Sequence, residues 1–302
     1  MKLSIFAKIF NNDKFMSWNN YHGHSRYCDG KGELVEYVEK AKELKVNVLG
    51  ISSHAPVPFD TWWTMPEEKL PEYLTELNVL KQKHNNDDFT LLASLEVDFI
   101  PEITGPKNPK ILSANLDYVV GSIHYVDRLE SGECWTIDSH EEEFDKGIKE
   151  IFQDDVSKAV SRYFDLQMQM IDTETPNIIG HLDKIRMHNT KKYYFDENSK
   201  KYLSKLYDLL KFAAEKSVVV EINNKYLFSA GLLFPAKEHF KWMKQNKIPV
   251  TISSDAHQPH LLINGFEDVA ELLINAGYRE LWVWNGKEFA PKGFDKNGII
   301  GG

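Results

Sequence analysis

Short, mostly apolar runs alternate along the chain with longer segments whose apolar residues repeat at helical spacing. The runs at 46–52, 89–95 and 117–123 are typical of strands that are buried on both faces of a parallel sheet. The segment 33–45 instead places its apolar residues on one face of a helix. This alternation of strand and helix predicts the α/β class with a parallel sheet.

The same alternation continues to the end of the chain. Predicted strands cover 18–24, 46–52, 89–95, 117–123, 177–180, 218–222, 248–253 and 281–284. Predicted helices cover 33–45, 67–84, 154–172 and 198–215; one more begins at Pro235 and another ends near Gly277. Seven or eight such units favour a TIM-like barrel whose active face lies at the carboxyl ends of the strands. An open doubly wound sheet is the alternative, but it offers one crevice, whereas polar residues follow almost every strand here.

Length and composition favour a single domain. The chain has 302 residues and a hydrophobic content of 42%, which allows one large barrel or two ordinary domains. No linker, repeat or low-complexity tract divides it, so we expect one α/β barrel domain over 16–302. Residues 1–15 fit no barrel element, and we expect them to form an N-terminal extension.

The charge balance argues against two classes of partner. A net charge of -9 disfavours nucleic acid and anionic membranes, because both bind basic surfaces.

No apolar run approaches the roughly 20 residues that span a bilayer, and no leader with a cleavage site is recognisable, which predicts a soluble cytoplasmic protein. Cys28 and Cys134 are far apart, so neither a disulfide framework nor a thiolate zinc site is predicted.

Histidines and acids stand at or just after the ends of the predicted strands. They are His22, His24, His54, Glu96, His124, His181, Asp255 and His257. Because a barrel brings its strand ends together, we expect these side chains to meet at one face. Imidazole and carboxylate suit zinc, iron or manganese, and this set is too large for a single four-coordinate ion. The sequence therefore predicts a multinuclear metal centre.

Two close pairs support that prediction. Side chains two positions apart in an extended strand point the same way, so His22 and His24 can reach one ion, as can Asp255 and His257. The residues between them, Gly23 and Ala256, are small and leave the backbone close to the ions.

The order of these residues resembles that of the polymerase and histidinol phosphatase (PHP) superfamily. Longer segments are similar to its histidinol-phosphate phosphatase branch, namely HGHSRYCDGKG at 22–32, GSIHYVD at 121–127, IIGHLDKIR at 178–186 and ISSDAHQP at 252–259. The resemblance implies a distorted barrel of about seven strands that binds two or three divalent ions of zinc, iron or manganese. It also implies hydrolysis of L-histidinol phosphate in histidine biosynthesis.

The resemblance implies a distribution of the ligands over three ions. Carried over by position, His22, His24, Glu96 and Asp255 hold one ion, and Glu96 bridges to a second that His124 and His181 also hold. Asp29, His54 and His257 hold the third.

Elementary chemistry agrees with a phosphatase. Clustered ions ionise a shared water and neutralise the phosphoryl charge, so we expect a metal-bridging hydroxide to be the nucleophile. Either Asp255 or His257 assists the leaving alcohol as a catalytic acid, and the sequence does not distinguish them.

Substrate contacts are predicted from charge and position. Arg162 and Arg186 are expected to bind the phosphate, with Arg26 as a further candidate, because arginine donates paired hydrogen bonds to such oxygens. Asp98 lies two positions after Glu96 and is expected to contact the ammonium or imidazole of histidinol.

Two other functions remain open from the sequence. One is a protein tyrosine phosphatase or nuclease of the same superfamily, which would need a shallow, basic or elongated cleft. The other is a non-catalytic metal-binding module. The sequence leaves the metal identity and the oligomeric state open.

Overall fold

A computed structural model of the protein describes residues 16–190 and 192–301. The expected N-terminal extension at 1–15 lies outside the described residues. The strands are β1 (Met16–Asn20), β2 (Val46–Ile51), β3 (Thr90–Asp98), β4 (Tyr118–Ser122), β5 (Tyr125–Arg128), β6 (Cys134–Thr136), β7 (Ile178–Ile179), β8 (Val219–Asn223), β9 (Val250–Ser253), β10 (Glu280–Trp284), β11 (Phe289–Asp295) and β12 (Gly298–Ile300). The helices are α1 (Leu34–Glu43), α2 (Leu70–His84), α3 (Pro109–Ser113), α4 (Glu141–Phe152), α5 (Val156–Thr173), α6 (Lys200–Glu215), α7 (Leu227–Ala230), α8 (Phe240–Gln245) and α9 (Phe266–Asn275).

Seven parallel strands form the centre of the fold, in the order β1-β2-β3-β4-β7-β8-β9. Gly23 and Ala256 form a parallel bridge beyond the ends of β1 and β9, where the backbone N–H of His24 donates to the Ala256 carbonyl at 2.8 Å. The sheet therefore comes close to a closed barrel, and the predicted TIM-like fold of about seven strands is confirmed.

An antiparallel extension lies beside β1. β12 pairs antiparallel with β1, β11 with β12, and β10 with β11. The segment predicted as an eighth strand–helix unit at 281–284 is therefore part of this extension and not of the parallel barrel. Its alternating burial is that of an antiparallel strand with one buried face.

Local sequence signals begin several helices. Glu33 and Glu36 form a capping box on α1, in which the backbone N–H of Glu33 donates to the Glu36 carboxylate at 2.7 Å. Ser199 accepts a hydrogen bond from the backbone of Tyr202 at the start of α6. Each of these two helices buries one apolar face against the barrel.

Close packing between strands fixes the barrel interior. A Cβ atom on Gly50 in β2 would lie 1.9 Å from the hydroxyl of Tyr118 in β4, so this position requires glycine. The Tyr118 hydroxyl donates to the carbonyl of Tyr21 across the barrel.

Among the described helices, none is long and apolar enough to cross a membrane.

Candidate metal centre

All of the predicted ligand residues lie at one end of the barrel, where the parallel strands finish. A parallel bridge between His54 and Glu96 continues the pairing of β2 and β3 past their regular ends. His181 and Asp255 follow β7 and β9 with positive φ angles of 22° and 49°. Such backbone strain is rare outside glycine and is concentrated at functional sites. The strand ends thus turn these side chains towards a common centre.

Glu96 is the central carboxylate of this group and is only 1% exposed. Its Oε2 lies 3.1 Å from His22 Nε2 and 3.0 Å from His54 Nδ1. Its other oxygen, Oε1, lies 2.9 Å from His181 Nε2 and 3.7 Å from His124 Nε2. Each oxygen therefore faces a different set of imidazoles, which is the arrangement that a carboxylate shared by two ions requires.

The remaining candidate ligands surround Glu96. Asp255 Oδ1 lies 3.0 Å from His24 Nε2, and Asp29 Oδ2 lies 3.1 Å from His257 Nε2. Three sets have donor atoms within 4.8 Å of one another: His24, Asp29, His54 and His257; His22, His24 and Asp255; His54, Glu96 and His124. These sets contain eight of the nine candidate ligands, and the ninth, His181, lies 2.9 Å from Glu96 Oε1. His24 and His54 each belong to two sets, so the structure brings all nine residues together without assigning each to one ion.

The donor set fits a metal because several of its buried atoms form no hydrogen bond with any described residue, although neighbouring polar atoms lie as close as 3.0 Å. These atoms are His22 Nε2, His24 Nε2, Asp29 Oδ1, His54 Nδ1 and Glu96 Oε2. Buried polar atoms are nearly always satisfied, so a cluster of unpartnered imidazole nitrogens and carboxylate oxygens calls for a cation.

Hydrogen bonds on the outer side of the cluster fix the orientation of the imidazoles. His22 Nδ1 lies 2.7 Å from the buried Glu221 carboxylate, and His124 Nδ1 lies 2.9 Å from Asp98. His257 Nδ1 contacts the backbone carbonyl of Asp255 at 3.0 Å. Because each acceptor requires a proton on Nδ1, the lone pair of each Nε2 faces the cluster.

Local electrostatics favour positive charge at the centre. Burial would raise the pKa of Glu96, but His22, His54 and His124 outweigh it and hold the pKa well below its usual value. Burial would likewise lower the pKa of His22, yet the carboxylates around it raise the pKa well above the ordinary value. The Glu96 carboxylate therefore stays ionised, and its field stabilises a cation beside it.

A cavity of about 190 Å³ opens onto the cluster. Its lining includes two lysines that were not predicted as site residues, Lys184 and Lys225. Lys184 is buried and pairs with Asp138 at 2.8 Å. The Nζ atom of Lys225 lies 3.3 Å from Asp255 Oδ1 and 3.2 Å from His257 Nε2. Both ammonium groups therefore border the space that an anionic substrate would occupy.

The predicted phosphate-binding arginines are not among the residues that line this cavity. Arg162 binds Asp127 through three hydrogen bonds of 2.8 to 3.1 Å. Arg186 binds Glu197 at 2.7 Å and the Leu233 carbonyl at 3.0 Å.

Arg26 and Asp98 also have partners elsewhere. Arg26 pairs with Glu33 and Glu76 on the surface. Asp98 is 4% exposed and accepts hydrogen bonds from both the backbone N–H and the ring of His124. In this structure Asp98 orients the imidazole of His124. Substrate contacts by Asp98 and by the three arginines stay predictions.

Sequence reasoning missed the lysines because isolated lysines are usually solvated surface residues. Glu221 and Lys225 were nevertheless detectable, since they lie in and just after β8, at the end where the other strands supply ligands. Lys184, three positions after His181, had no comparable signal.

A family model described as the PHP domain matches residues 20–225. A probable histidinol-phosphatase from Deinococcus radiodurans is 26% identical over 263 residues, which cover 85% of this chain and 93% of that protein. A probable histidinol-phosphatase from Schizosaccharomyces pombe is 24% identical over 300 residues, with coverages of 92% and 91%.

Two crystal structures are similar in fold. A putative histidinol phosphatase from Listeria monocytogenes has a TM-score of 0.71 and 22% identity, covering 83% of this chain and 99% of its own. A histidinol phosphate phosphatase from Lactococcus lactis, complexed with zinc, L-histidinol and phosphate, has a TM-score of 0.70 and 20% identity. That match covers 91% of this chain and all of the other, 100%.

Proposed function

The chain belongs to the PHP domain family, and from this premise we propose that it is a metal-dependent phosphatase that hydrolyses L-histidinol phosphate. The observation that carries the proposal is the cluster of nine imidazole and carboxylate side chains around Glu96, with unpartnered donor atoms facing one another. The relatives named as probable histidinol-phosphatases support the choice of substrate.

We propose that His22, His24, Asp29, His54, Glu96, His124, His181, Asp255 and His257 hold two or three divalent ions, of zinc, iron or manganese. When bound, such ions lower the pKa of a coordinated water towards 7 and neutralise charge on the phosphoryl group. Glu221 and Asp98 keep the rings of His22 and His124 in the orientation that binding requires.

Lys184 and Lys225 are the proposed phosphate contacts. Their ammonium groups line the cavity, and each is held in place by a carboxylate of the site, Asp138 and Asp255 respectively. Hydrogen bonds from charged donors to phosphate oxygens are stronger than neutral ones. They also offset the overall negative charge of the protein at the point where the anion binds.

The leaving alcohol needs a proton, and Asp255 and His257 remain the proposed acids. Lys225 Nζ lies 3.3 Å from Asp255 Oδ1 and 3.2 Å from His257 Nε2, so its ammonium borders both candidate acids beside the phosphate. Both residues line the cavity, where the departing oxygen would lie.

The surroundings of the cavity favour a small-molecule substrate over a nucleic acid. A nuclease needs a basic surface along which the phosphate backbone can lie. Asp60, Glu133 and Glu143 line the depression beside the metal cavity instead. These acids would repel a polyanion.

The test is phosphate release from L-histidinol phosphate by purified protein supplied with manganese or zinc. A phosphotyrosine peptide and single-stranded DNA serve as competing substrates under the same conditions. We expect kcat/KM for L-histidinol phosphate to exceed that for either macromolecular substrate by at least roughly a hundredfold. A preference for the peptide or the DNA would overturn the proposed substrate.

A further inference from the structure

A second cavity of about 650 Å³ lies beside the metal cavity. Trp62, Trp63 and Thr136 line both, so the two spaces are adjacent. The metal cavity, at about 190 Å³, is below the roughly 300 to 1,000 Å³ of typical ligand pockets. It has to accommodate ions and a phosphoryl group, so the organic part of a phosphomonoester must extend beyond it.

The wall between the two cavities is aromatic. The Trp63 ring packs edge-on against His54 and His124, with centroid distances of 4.5 and 5.2 Å. It also stacks on Tyr125, at 5.7 Å and an interplanar angle of 21°. Trp63 thus connects two candidate metal ligands to the hairpin formed by β5 and β6. Its neighbour Trp62 is 86% exposed, which is unusual for a tryptophan that serves only packing.

Tyr125 provides an independent sign of a ligand. It is 3% exposed and lines the second cavity. Its hydroxyl has no hydrogen-bond partner among the described residues. A buried hydroxyl normally finds a partner, so this one is available to a bound molecule.

The charge of the second cavity indicates what kind of molecule it accepts. Asp60, Glu133 and Glu143 line it together with Arg128, whose guanidinium donates to the Gly132 carbonyl at 2.7 Å. Carboxylates and aromatic faces in one cavity attract an organic cation. The metal cavity, in contrast, presents Lys184 and Lys225 to an anion.

We propose that the second cavity is a subsite for the alcohol part of the substrate and selects an ammonium group next to an aromatic ring. This inference rests on the proposed function, because it assumes that the phosphoryl group lies at the metal cluster. The Trp62 and Trp63 faces contact the ring, the acids attract the ammonium, and the Tyr125 hydroxyl bonds to a polar ring atom. L-histidinol has both of these groups.

The experiment compares Trp62→Ala and Tyr125→Phe with the wild type, all loaded with metal. Tyr193→Ala is the matched control, since Tyr193 is 76% exposed and is not among the residues that line either cavity. Calorimetry measures the Kd of L-histidinol, and steady-state kinetics measure kcat/KM for L-histidinol phosphate and for glycerol 2-phosphate. The second ester lacks both the ammonium and the ring.

We expect Trp62→Ala to raise the Kd of L-histidinol and to lower selectivity for its phosphate over glycerol 2-phosphate, each by roughly tenfold. Tyr125→Phe should also raise the Kd of L-histidinol and lower the selectivity, each by at least roughly threefold. Tyr193→Ala should leave both quantities unchanged.

The inference would be overturned by a wild type that does not bind L-histidinol, or by variants that lose activity on both esters equally. Hydrolysis of the esters tests the proposed function separately. A wild type that cleaves both esters without preference refutes the subsite and retains the phosphatase. A protein that binds L-histidinol through Trp62 without cleaving either ester retains the subsite and refutes the phosphatase.

Discussion

At the scale of single residues, the centre depends on which imidazole nitrogen faces the cluster. Buried carboxylates decide this for two rings, since Glu221 contacts His22 Nδ1 and Asp98 contacts His124 Nδ1. Glu221 is fully buried and also accepts a hydrogen bond from the backbone N–H of His181 at 2.8 Å. One carboxylate in β8 therefore positions two candidate ligands that follow different strands, β1 and β7.

Replacing Glu221 by glutamine tests this positioning role. Glu221→Gln keeps the shape but removes the charge, and we expect metal affinity to fall roughly 10- to 100-fold. Titration with zinc against a competing chelator measures the change, and excess metal should restore activity. Glu215→Gln on the exposed side of α6 is the matched control. Unchanged affinity in Glu221→Gln would show that the carboxylate has no part in positioning.

His124 tests a ligand directly. We expect His124→Ala to lower turnover of L-histidinol phosphate to below roughly 1% of the wild-type rate, because the metal loses a nitrogen donor. Circular dichroism should show a retained fold. His140→Ala is the control, since His140 is exposed at the start of α4. Near-normal turnover would exclude His124 from the metal centre.

Lys225 tests the proposed phosphate contact. Lys225→Met removes the ammonium at a side chain that is 27% exposed, and we expect KM to rise roughly 10- to 100-fold, as for the loss of a charged hydrogen bond. Steady-state kinetics at fixed metal concentration measure it. Lys241→Met, at an exposed position, should leave KM unchanged. An unaltered KM in Lys225→Met would return the arginines to consideration.

At the scale of elements, the sequence predicted the parallel strands and most of the helices that follow them. Buried strands such as β2 and β4 have apolar runs with little competing signal. The hairpin of β5 and β6 was missed because its strands are short and irregular in register. β10 was assigned to the barrel because a short apolar run does not reveal whether its neighbour is parallel or antiparallel.

The beginning of α8 gives a pH-dependent prediction. Burial, with Arg186 nearby, lowers the pKa of His239 below its ordinary value, so the folded state favours the neutral ring. The unfolded chain, whose imidazole has an ordinary pKa of about 6.5, binds a proton more readily than the folded protein. The unfolding free energy is therefore higher above about pH 6.5 and falls as the pH drops below that value. We expect chemical denaturation between pH 8 and pH 5 to show a smaller loss of unfolding free energy in His239→Gln than in the wild type. Equal losses would refute this.

Packing between β2 and β4 gives a stability prediction. In Gly50→Ala the new methyl group would meet the Tyr118 hydroxyl at 1.9 Å, so the buried Tyr118 ring or the backbone of β2 must shift. We expect the unfolding free energy to fall by roughly 1 to 3 kcal/mol, as is typical of overpacked interiors. Gly293→Ala in β11 is the control, because its nearest contact would be an ordinary 3.7 Å. A denaturation midpoint equal to that of the control would contradict the packing.

At the scale of the whole molecule, the barrel brings together side chains that are more than two hundred positions apart in sequence, as in the contact of Asp29 with His257. Strand-end placement was enough to predict this convergence, because every parallel strand of a barrel finishes at the same face. The phosphate-binding residues could not be predicted in the same way, since arginines such as Arg162 are equally common in surface ion pairs.

The expectation of one domain over 16–302 stays a prediction.

The metal centre and the fold should also be coupled. Ions that bind only the folded protein stabilise it, by about 2.7 kcal/mol at a hundredfold excess over Kd. We therefore expect added zinc or manganese to raise the Tm and a chelator to lower it. His124→Ala should show a smaller rise. A Tm that is independent of metal would contradict this coupling.

The most direct test of the central claim is anomalous diffraction from crystals grown with zinc or manganese. We predict two or three anomalous peaks at the carboxyl ends of the barrel strands, about 2.0 to 2.2 Å from donor atoms of residues such as Glu96, His124 and Asp255. Peaks confined to other surfaces, or no peak near Glu96 under conditions that support activity, would contradict the account.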